Sequence, residues 1–151
     1  MGSESTPEPG YRAPDLSLVG EAHLRKYLET DGEVGYLWNG VPCLVMTTKG
    51  HRTGEPRRHP IIFSRDGANY VVIASAGGSP NHPKWYLNLC AEPRVQLQIK
   101  GEKLDAIART AQSPERERLW RQAAREWPNY DVYTTRTSRQ IPVVVLEPVR
   151  K

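Results

Sequence analysis

The pattern of apolar and polar positions predicts a chain built largely from short strands. Apolar and polar side chains alternate over residues 94–100, as in a strand with one buried face. A continuous apolar run over 41–48 is typical of a strand that is buried on both faces. Two more predicted strands, 60–64 and 70–75, flank Asp66-Gly67, a dipeptide typical of tight hairpin turns. The remaining predicted strands are 103–110 and 141–147.

Helical signals occur in four segments, which are 16–30, 83–91, 113–126 and 130–136. The first segment ends at Asp31-Gly32, a typical helix end, and the second opens on Pro83, which suits a first helical position. Ser113 precedes a proline and an acid, so we expect it to cap the third helix. About six strands, mostly in hairpin order with helices in the long connections, predict an α+β fold. We expect an antiparallel barrel or split β-barrel with peripheral helices.

Composition narrows the class of protein. With 151 residues, 38% of them hydrophobic, we expect one domain with a single core over 15–151. Residues 1–14 are polar and rich in proline and glycine, and we expect them to be disordered. Neither a membrane-spanning apolar run nor a signal-peptide pattern is seen, so we expect a cytoplasmic protein. Peripheral contact of residues 16–37 with a membrane surface stays open.

The net charge of +4 favours an acidic small-molecule partner. We do not expect nucleic-acid binding, because the chain shows neither a recognition helix nor an aromatic-studded strand. Cys43 and Cys90 sit in apolar settings without metal-ligand spacing, and we expect both to be buried free thiols.

The strongest chemical signal is a basic segment, 47–60, between two predicted strands. From Lys49 to Arg58 it carries four cationic side chains against one acid, Glu55. Its glycines and proline bend the backbone and expose N–H groups, while arginine and lysine donate charge-assisted hydrogen bonds to anionic oxygens. Two interpretations stay open on this segment alone: a cradle for a multiply anionic ligand, or a solvated hairpin tip.

A second segment of interest, 74–86, runs from a strand end through Gly77-Gly78 into a helix. Backbone N–H groups at a helix N-terminus form a natural site for an anion or a carbonyl. An ordinary strand-to-helix connection would need the same glycines, so both interpretations stay open. On the helix, we expect Trp85 to lie mainly in the core, and Asn88 either to reach a ligand or to cap a backbone group.

A third segment spaces Trp127, Tyr130 and Tyr133 three residues apart, so that on a helix they would share one face. The three rings either wall a flat ligand, offering stacking area and phenolic donors, or close the mouth of the barrel. The sequence offers no convincing catalytic triad, paired-carboxylate site or P-loop. The three loop histidines have no carboxylate or cysteine to complete a ligand set, so we expect no metal site.

Taken together, these segments resemble the deazaflavin-dependent nitroreductase family of actinobacteria, which uses coenzyme F-420. Five ordered blocks carry the resemblance, and from the first to the last they span about two-thirds of the chain. They are Thr47-Thr48-Lys49-Gly50-His51-Arg52-Thr53-Gly54-Glu55-Pro56-Arg57, Arg65-Asp66-Gly67, Ala74-Ser75-Ala76-Gly77-Gly78, Pro83-Lys84-Trp85-Tyr86-Leu87-Asn88-Leu89 and Ile141-Pro142-Val143-Val144-Val145.

The resemblance implies a split β-barrel similar to that of flavin-binding pyridoxamine-phosphate oxidases. It implies that the basic loop holds the phosphate and oligoglutamate tail of the deazaflavin, and that the Gly77-Gly78 segment lies against the ring. The cofactor-binding residues expected in the loop are Lys49, His51, Arg52, Thr53, Gly54, Arg57, Arg58 and Pro60. Those expected around the ring are Ser75, Ala76, Gly77, Gly78, Trp85 and Asn88.

The chain departs from the family pattern at three positions. His51 replaces a frequent arginine or lysine, and Ala76 replaces a frequent lysine, for which Arg58 is a candidate substitute. Trp127 stands where some nitroreductase members have the first of three spaced tyrosines, while Tyr130 and Tyr133 match. Substrate range is therefore not carried over from the nitroreductases.

From this resemblance we expect hydride transfer from reduced coenzyme to an electron-poor small molecule such as a quinone, an enone or lactone, or a nitro compound. The catalytic candidates are Tyr130, Tyr133 and Ser75, with a tyrosine hydroxyl binding the acceptor oxygen. Two alternatives stay open: an FMN-dependent split-barrel oxidoreductase, and a non-catalytic carrier of the deazaflavin. We expect a monomer or a dimer.

Overall fold

The computed structural model describes residues 9–149, in which eight β-strands and four α-helices are present. The strands are β1 (Leu37–Trp38), β2 (Val41–Lys49), β3 (Pro56–Ile62), β4 (Ser64–Asp66), β5 (Asn69–Ile73), β6 (Arg94–Ile99), β7 (Glu102–Thr110) and β8 (Val143–Pro148). The helices are α1 (Gly20–Thr30), α2 (Lys84–Ala91), α3 (Glu115–Glu126) and α4 (Asn129–Tyr133). The expected α+β antiparallel split barrel is confirmed.

All strand pairs are antiparallel and belong to one curled sheet. The order is β1-β2-β6-β7-β8-β5-β4, and β3 pairs with β2 outside this path. β2 and β3 pair from Cys43↔Ile62 to Lys49↔Pro56, so this long hairpin carries its connecting turn to one end of the barrel. The predicted hairpin at Asp66-Gly67 is confirmed, and a second hairpin joins β6 and β7 at Lys100-Gly101.

The long apolar runs have two buried faces. In β8, Val144 and Leu146 point into the barrel core, whereas Val143 and Val145 pack on the outer side with residues of α3 and α4. β2 does the same, because Leu44 and Met46 face inward while Cys43 and Val45 pack against Tyr27 of α1. Successive strand residues point to opposite faces, so a sheet covered by helices requires a continuous apolar run.

Helix α1 is fixed to the sheet by its one fully buried tyrosine. The Tyr27 hydroxyl donates to the Cys43 carbonyl oxygen at 3.0 Å and accepts from the Lys100 backbone N–H at 2.8 Å. The helix ends as expected at Asp31, which adopts a left-handed conformation. It begins at Gly20 rather than at Leu16, because Val19 is extended.

Other local predictions were wrong in detail. β3 begins at Pro56, so the last basic residues of the segment belong to a strand and not to a loop. The Ser113 hydroxyl donates to the Glu117 carboxylate and caps no backbone N–H group of α3. Cys43 is a buried free thiol, but Cys90 is exposed because it lies on the outer face of α2.

The beginning of the chain can be judged only in part. The expectation of disorder for residues 1–8 falls outside the described residues. Further along, Arg12 is paired through its backbone, with its N–H donating to Asn129 Oδ1 at 2.8 Å and its carbonyl accepting from Asn129 Nδ2 at 2.7 Å. Between residues 9 and 149, no helix is long and apolar enough to cross a membrane.

Candidate active site

Two adjoining cavities lie along strand β3. The first, here called the basic cavity, has a volume of about 310 Å³ and is lined by Gly50, His51, Arg52, Thr53, Arg57, His59, Lys84, Leu87 and Asn88. The second, here called the aromatic cavity, has a volume of about 360 Å³. Its lining includes His59, Pro60, Ser75, Ala76, Gly77, Trp38, Trp85, Trp127, Tyr130 and Tyr133. His59 lines both cavities and marks their junction.

The basic cavity concentrates positive charge. Arg52 and Arg57 come from the β2–β3 hairpin, and Lys84 comes from the first turn of α2. No acidic side chain of the described residues belongs to its lining. Because three cations converge without a neutralising carboxylate, the cavity is electrostatically suited to a ligand that carries several negative charges.

The turn that presents these cations closes on itself through its own backbone. Gly50 donates its N–H to the Glu55 carbonyl oxygen at 2.8 Å, and Gly54 donates to the Gly50 carbonyl oxygen at 2.8 Å. A Cβ atom at Gly50 would lie only 3.0 Å from that Glu55 oxygen. Gly54 has a φ of +78°, a conformation that favours glycine. The glycines therefore allow a tight turn that a side chain would open.

Asn88 anchors this turn to helix α2. The residue is 3% exposed, and its Oδ1 accepts from the His51 backbone N–H at 3.0 Å while its Nδ2 donates to Thr48 Oγ1 at 3.1 Å. The same Oδ1 lies 2.5 Å from His51 Nδ1, which carries the proton because an amide oxygen only accepts. Of the two roles that the sequence left open for Asn88, the residue caps a backbone N–H group, and it also lines the cavity where a ligand would lie.

The two arginines of β3 point to opposite faces of the strand. Arg57 and His59 are two residues apart and both face the basic cavity, whereas Arg58 points to the other side and lines neither cavity. Burial, with the nearby Arg57 charge, lowers the pKa of His59 below its usual value, so the imidazole is neutral at pH 7.

Some predicted ligands therefore lie elsewhere. His51, Arg52, Thr53 and Arg57 line the basic cavity, and Pro60 lines the aromatic one. Lys49 and Gly54 line a separate, open depression behind the hairpin, next to the Arg94–Asp105 ion pair. Arg58 lies on the face of β3 opposite Arg57. It does not line the aromatic cavity, where Ala76 lies, so it does not take the place of a lysine at position 76 there.

The aromatic cavity has a backbone wall and a ring wall. Ser75, Ala76 and Gly77 form the first, and a tight 3-10 turn begins at Ala76. Gly78 lies buried behind that turn, where a Cβ atom would stand 2.9 Å from the Tyr133 carbonyl oxygen. Because the two walls touch at this point, no side chain larger than hydrogen fits between them.

The ring wall is assembled from residues far apart in sequence. Trp38 of β1 packs on Trp127 with ring centroids 5.6 Å apart, and Tyr130 meets Tyr133 edge-on at 6.1 Å. Of the two interpretations of these aromatics, wall or plug, the structure shows rings that both pack inward and line the cavity. Trp85, expected mainly in the core, likewise does both.

The two tyrosine hydroxyls differ in their surroundings. The Tyr133 hydroxyl accepts from Trp127 Nε1 at 3.4 Å, whereas no described residue makes a hydrogen bond with that of Tyr130. Tyr130 is 5% exposed, and burial raises its pKa far above the usual value. It therefore keeps its proton and offers a donor to whatever occupies the cavity.

Sequence reasoning missed several residues of this site. Lys84, Trp38 and His23 were not singled out, and all three line one of the cavities. Lys84 could have been predicted from the sequence. A cation in the first turn of a helix is unfavourable with respect to the helix dipole unless an anion binds there. Cys43 also lines the aromatic cavity, but burial raises the pKa of its thiol to about 12, so it is no nucleophile.

Comparison with known proteins agrees with this geometry. The model of the family described as F420H(2)-dependent quinone reductase matches residues 21–148. The F420H(2)-dependent quinone reductase Rv1261c of Mycobacterium tuberculosis is 39% identical over 124 residues, which cover 80% of this chain and 83% of that protein.

Two solved structures are similar throughout the barrel. An F420-H2 dependent reductase, FDR-A, gives a TM-score of 0.66 at 38% identity, covering 70% of this chain and 94% of that one. A structure described as a domain-swapped dimer gives a TM-score of 0.68 at 35% identity, covering 82% of this chain and 96% of that one. On the family match and the identity to its curated relative, this chain belongs to the F420H(2)-dependent quinone reductase family.

Proposed function

We propose that this protein is an oxidoreductase that transfers a hydride from reduced coenzyme F-420 to a quinone, a small-molecule acceptor. One observation carries the proposal: a basic cavity, lined by no acidic side chain of the described residues, and an aromatic cavity share His59 in their linings. The first suits a phosphate and carboxylate tail, and the second suits a flat ring together with a flat acceptor. When bound, the coenzyme supplies a two-electron hydride from its reduced ring.

The residues present fit this coenzyme. Arg52, Arg57 and Lys84 supply charge for the anionic tail, and Thr53 adds a hydroxyl donor. The backbone of Ala76 and Gly77 offers a side-chain-poor surface against which a ring can lie closely. The opposite wall is aromatic, so the ring would be held by stacking rather than by charge.

The chain itself has three tasks in the reaction. It holds donor and acceptor in contact inside one cavity, which converts an encounter into a positioned step. It presents an apolar wall to both molecules through the packed rings of Trp38 and Trp127. It offers the Tyr130 hydroxyl as a hydrogen-bond donor to the acceptor oxygen as negative charge develops there, with Tyr133 and Ser75 beside it.

A side-by-side binding and turnover experiment tests the proposal. Purified protein is titrated with FMN, FAD and oxidised coenzyme F-420, and the reduced form of each ligand that binds is then mixed with menadione. We expect binding of the deazaflavin only, followed by its oxidation when the quinone is added. Binding of FMN with quinone reduction would instead support the flavin enzyme, and tight binding of reduced deazaflavin without oxidation would support the carrier.

A further inference from the structure

The ring-side loop 74–79 adopts an unfavourable backbone conformation. Ala76, Gly77 and Gly78 have φ values of +46°, +64° and +83°, three left-handed residues in succession. The first of them carries a side chain, for which this region is disfavoured. The loop's own hydrogen bonds are few: the Gly78 N–H donates to the Ser75 carbonyl oxygen at 2.9 Å, and the Ser79 N–H to that of Ala76 at 3.1 Å. Other contacts must therefore hold it in place.

Those contacts come from Arg139, in the segment between α4 and β8. Its Nη2 donates to the Ser75 carbonyl oxygen at 2.8 Å, and its Nε donates to that of Ser79 at 2.8 Å. Its Nη1 contacts the Ala74 carbonyl oxygen at 3.3 Å and His82 Nδ1 at 3.0 Å. One guanidinium group thus joins the start of the loop, its end and the residues leading into α2.

The same segment connects the loop to the tyrosine wall. Arg136, three residues before Arg139, donates from Nη1 to the Gly77 carbonyl oxygen at 3.1 Å, and its guanidinium lies 5.3 Å from the Tyr133 ring. Arg139 itself lines neither cavity. Its contacts are with backbone oxygens of residues 74, 75 and 79 and with the His82 side chain, so its effect on a bound ligand must pass through the position of the loop and the residues after it.

We infer that Arg139 is a positioning residue that holds Ser75, Ala76 and Gly77 in the conformation required by the coenzyme ring. The identity of the ligand in this inference rests on the proposed function. The claim that Arg139 holds the loop rests on the geometry alone. A lysine could not replace it, because one ammonium group cannot reach carbonyl oxygens at both ends of the loop in a planar fork.

The experiment compares Arg139→Ala and Arg139→Lys with Arg25→Ala, a control that removes an exposed arginine of α1 outside both cavities. Amide hydrogen exchange of the ligand-free protein is followed at Gly78 and Ser79, and affinity for oxidised coenzyme F-420 is measured by titration. We expect exchange at these two amides to accelerate in both Arg139 variants while the sheet stays protected. Affinity should fall about tenfold or more, since small displacements of positioning groups are costly.

Unchanged exchange at the two amides in a folded Arg139→Lys protein would overturn the inference, as would acceleration spread evenly over the whole sheet. If Arg139→Ala does not fold, the lysine variant carries the test by itself, because it keeps the charge. If wild-type protein binds no deazaflavin, the proposed function fails, whereas the exchange experiment still decides what Arg139 does to the loop.

Discussion

The two cavities that meet at His59 are built in opposite ways. The basic cavity takes its charges from exposed side chains, Arg52, Arg57 and Lys84, on one hairpin and one helix end. The aromatic cavity takes most of its walls from buried or half-buried residues of β1, β3, β5, α2 and α4, while Ala76 and Gly77 of the loop 74–79 are exposed at its edge. The charges of the first cavity thus lie at the surface, whereas the rings of the second belong to the core and only its loop edge is exposed.

This difference predicts which property of the enzyme each cavity controls. Exposed charges interact through water, and salt weakens these interactions. The basic cavity should therefore determine coenzyme affinity, with each charged residue contributing a modest share. Buried groups act in a low-dielectric, water-poor setting, where one hydrogen bond to developing charge has a large effect. The aromatic cavity should therefore set the rate.

The largest effect is expected for Tyr130→Phe. Removing the buried hydroxyl takes away the donor to the acceptor oxygen, and kcat for quinone reduction should fall about a hundredfold. Coenzyme affinity should change little, because the ring and its packing remain. Steady-state kinetics with saturating reduced coenzyme measure kcat, and a separate titration measures affinity.

Tyr133→Phe is the matched comparison, because Tyr133 is only half-buried and its hydroxyl would act on the developing charge in a more polar setting than that of Tyr130. We expect a smaller loss of kcat for this variant. A Tyr130→Phe enzyme with wild-type kcat would show that the buried hydroxyl has no catalytic part. Equal losses in the two variants would remove the distinction that the structure draws between them.

The aromatic cavity also shows where prediction from sequence reaches its limit. The three rings of Trp127, Tyr130 and Tyr133 were readable because helical spacing places neighbours on one face. Trp38 was not, because β1 has only two residues and shows no periodicity. A wall assembled across the fold carries no local pattern, so only the part contributed by residues 127–133, with Trp127 before α4 and the two tyrosines on it, could be foreseen.

The strands were predictable for the opposite reason. The alternation of 94–100 and the apolar runs in β2 and β8 are dictated by which faces are buried, and burial appears directly in residue type. The break between β3 and β4 at Phe63 was missed. A buried apolar residue can lie within one strand or between two strands, and the sequence pattern is the same in both cases.

The second prediction concerns affinity and uses two adjacent arginines. Arg57→Ala should weaken coenzyme binding about tenfold, equal to about 1.4 kcal/mol. Arg58→Ala removes the same charge from the opposite face of β3 and should cost much less. Titrations at low and at high salt measure both, and the gap between the variants should narrow as salt rises. Equal losses would mean that net charge, not cavity lining, determines affinity.

A third, smaller effect is expected for Lys84→Gln. The lysine adds one cation to the basic cavity from α2, so its loss should weaken coenzyme binding about threefold, consistent with an exposed charge. Lys103→Gln, at an exposed position of β7 outside both cavities, removes an equal charge and serves as the control. Indistinguishable dissociation constants for the two variants would exclude Lys84 from the site.

The smallest effect, a pH dependence, should arise where the two cavities join. In the free protein, burial and Arg57 lower the pKa of His59, and the other charged or titratable groups that line the basic cavity beside it are Arg52, Lys84 and His51. A bound anion offsets these cations and raises the pKa of His59, so the complex holds more protons than the free protein. Affinity must therefore increase as pH falls, beginning at the bound-state pKa and levelling off below the lowered free-state pKa.

Between about pH 8 and about pH 6 we expect about a twofold tightening of coenzyme binding that depends on His59. The measurement is a titration at each pH, repeated in buffers of different ionisation enthalpy to detect proton uptake by calorimetry. His59→Gln should lower both the pH slope and the proton uptake while it keeps a polar side chain at the junction. A slope that survives this substitution would place the titrating group elsewhere in the cavity, and weaker binding at low pH would contradict the direction that linkage requires.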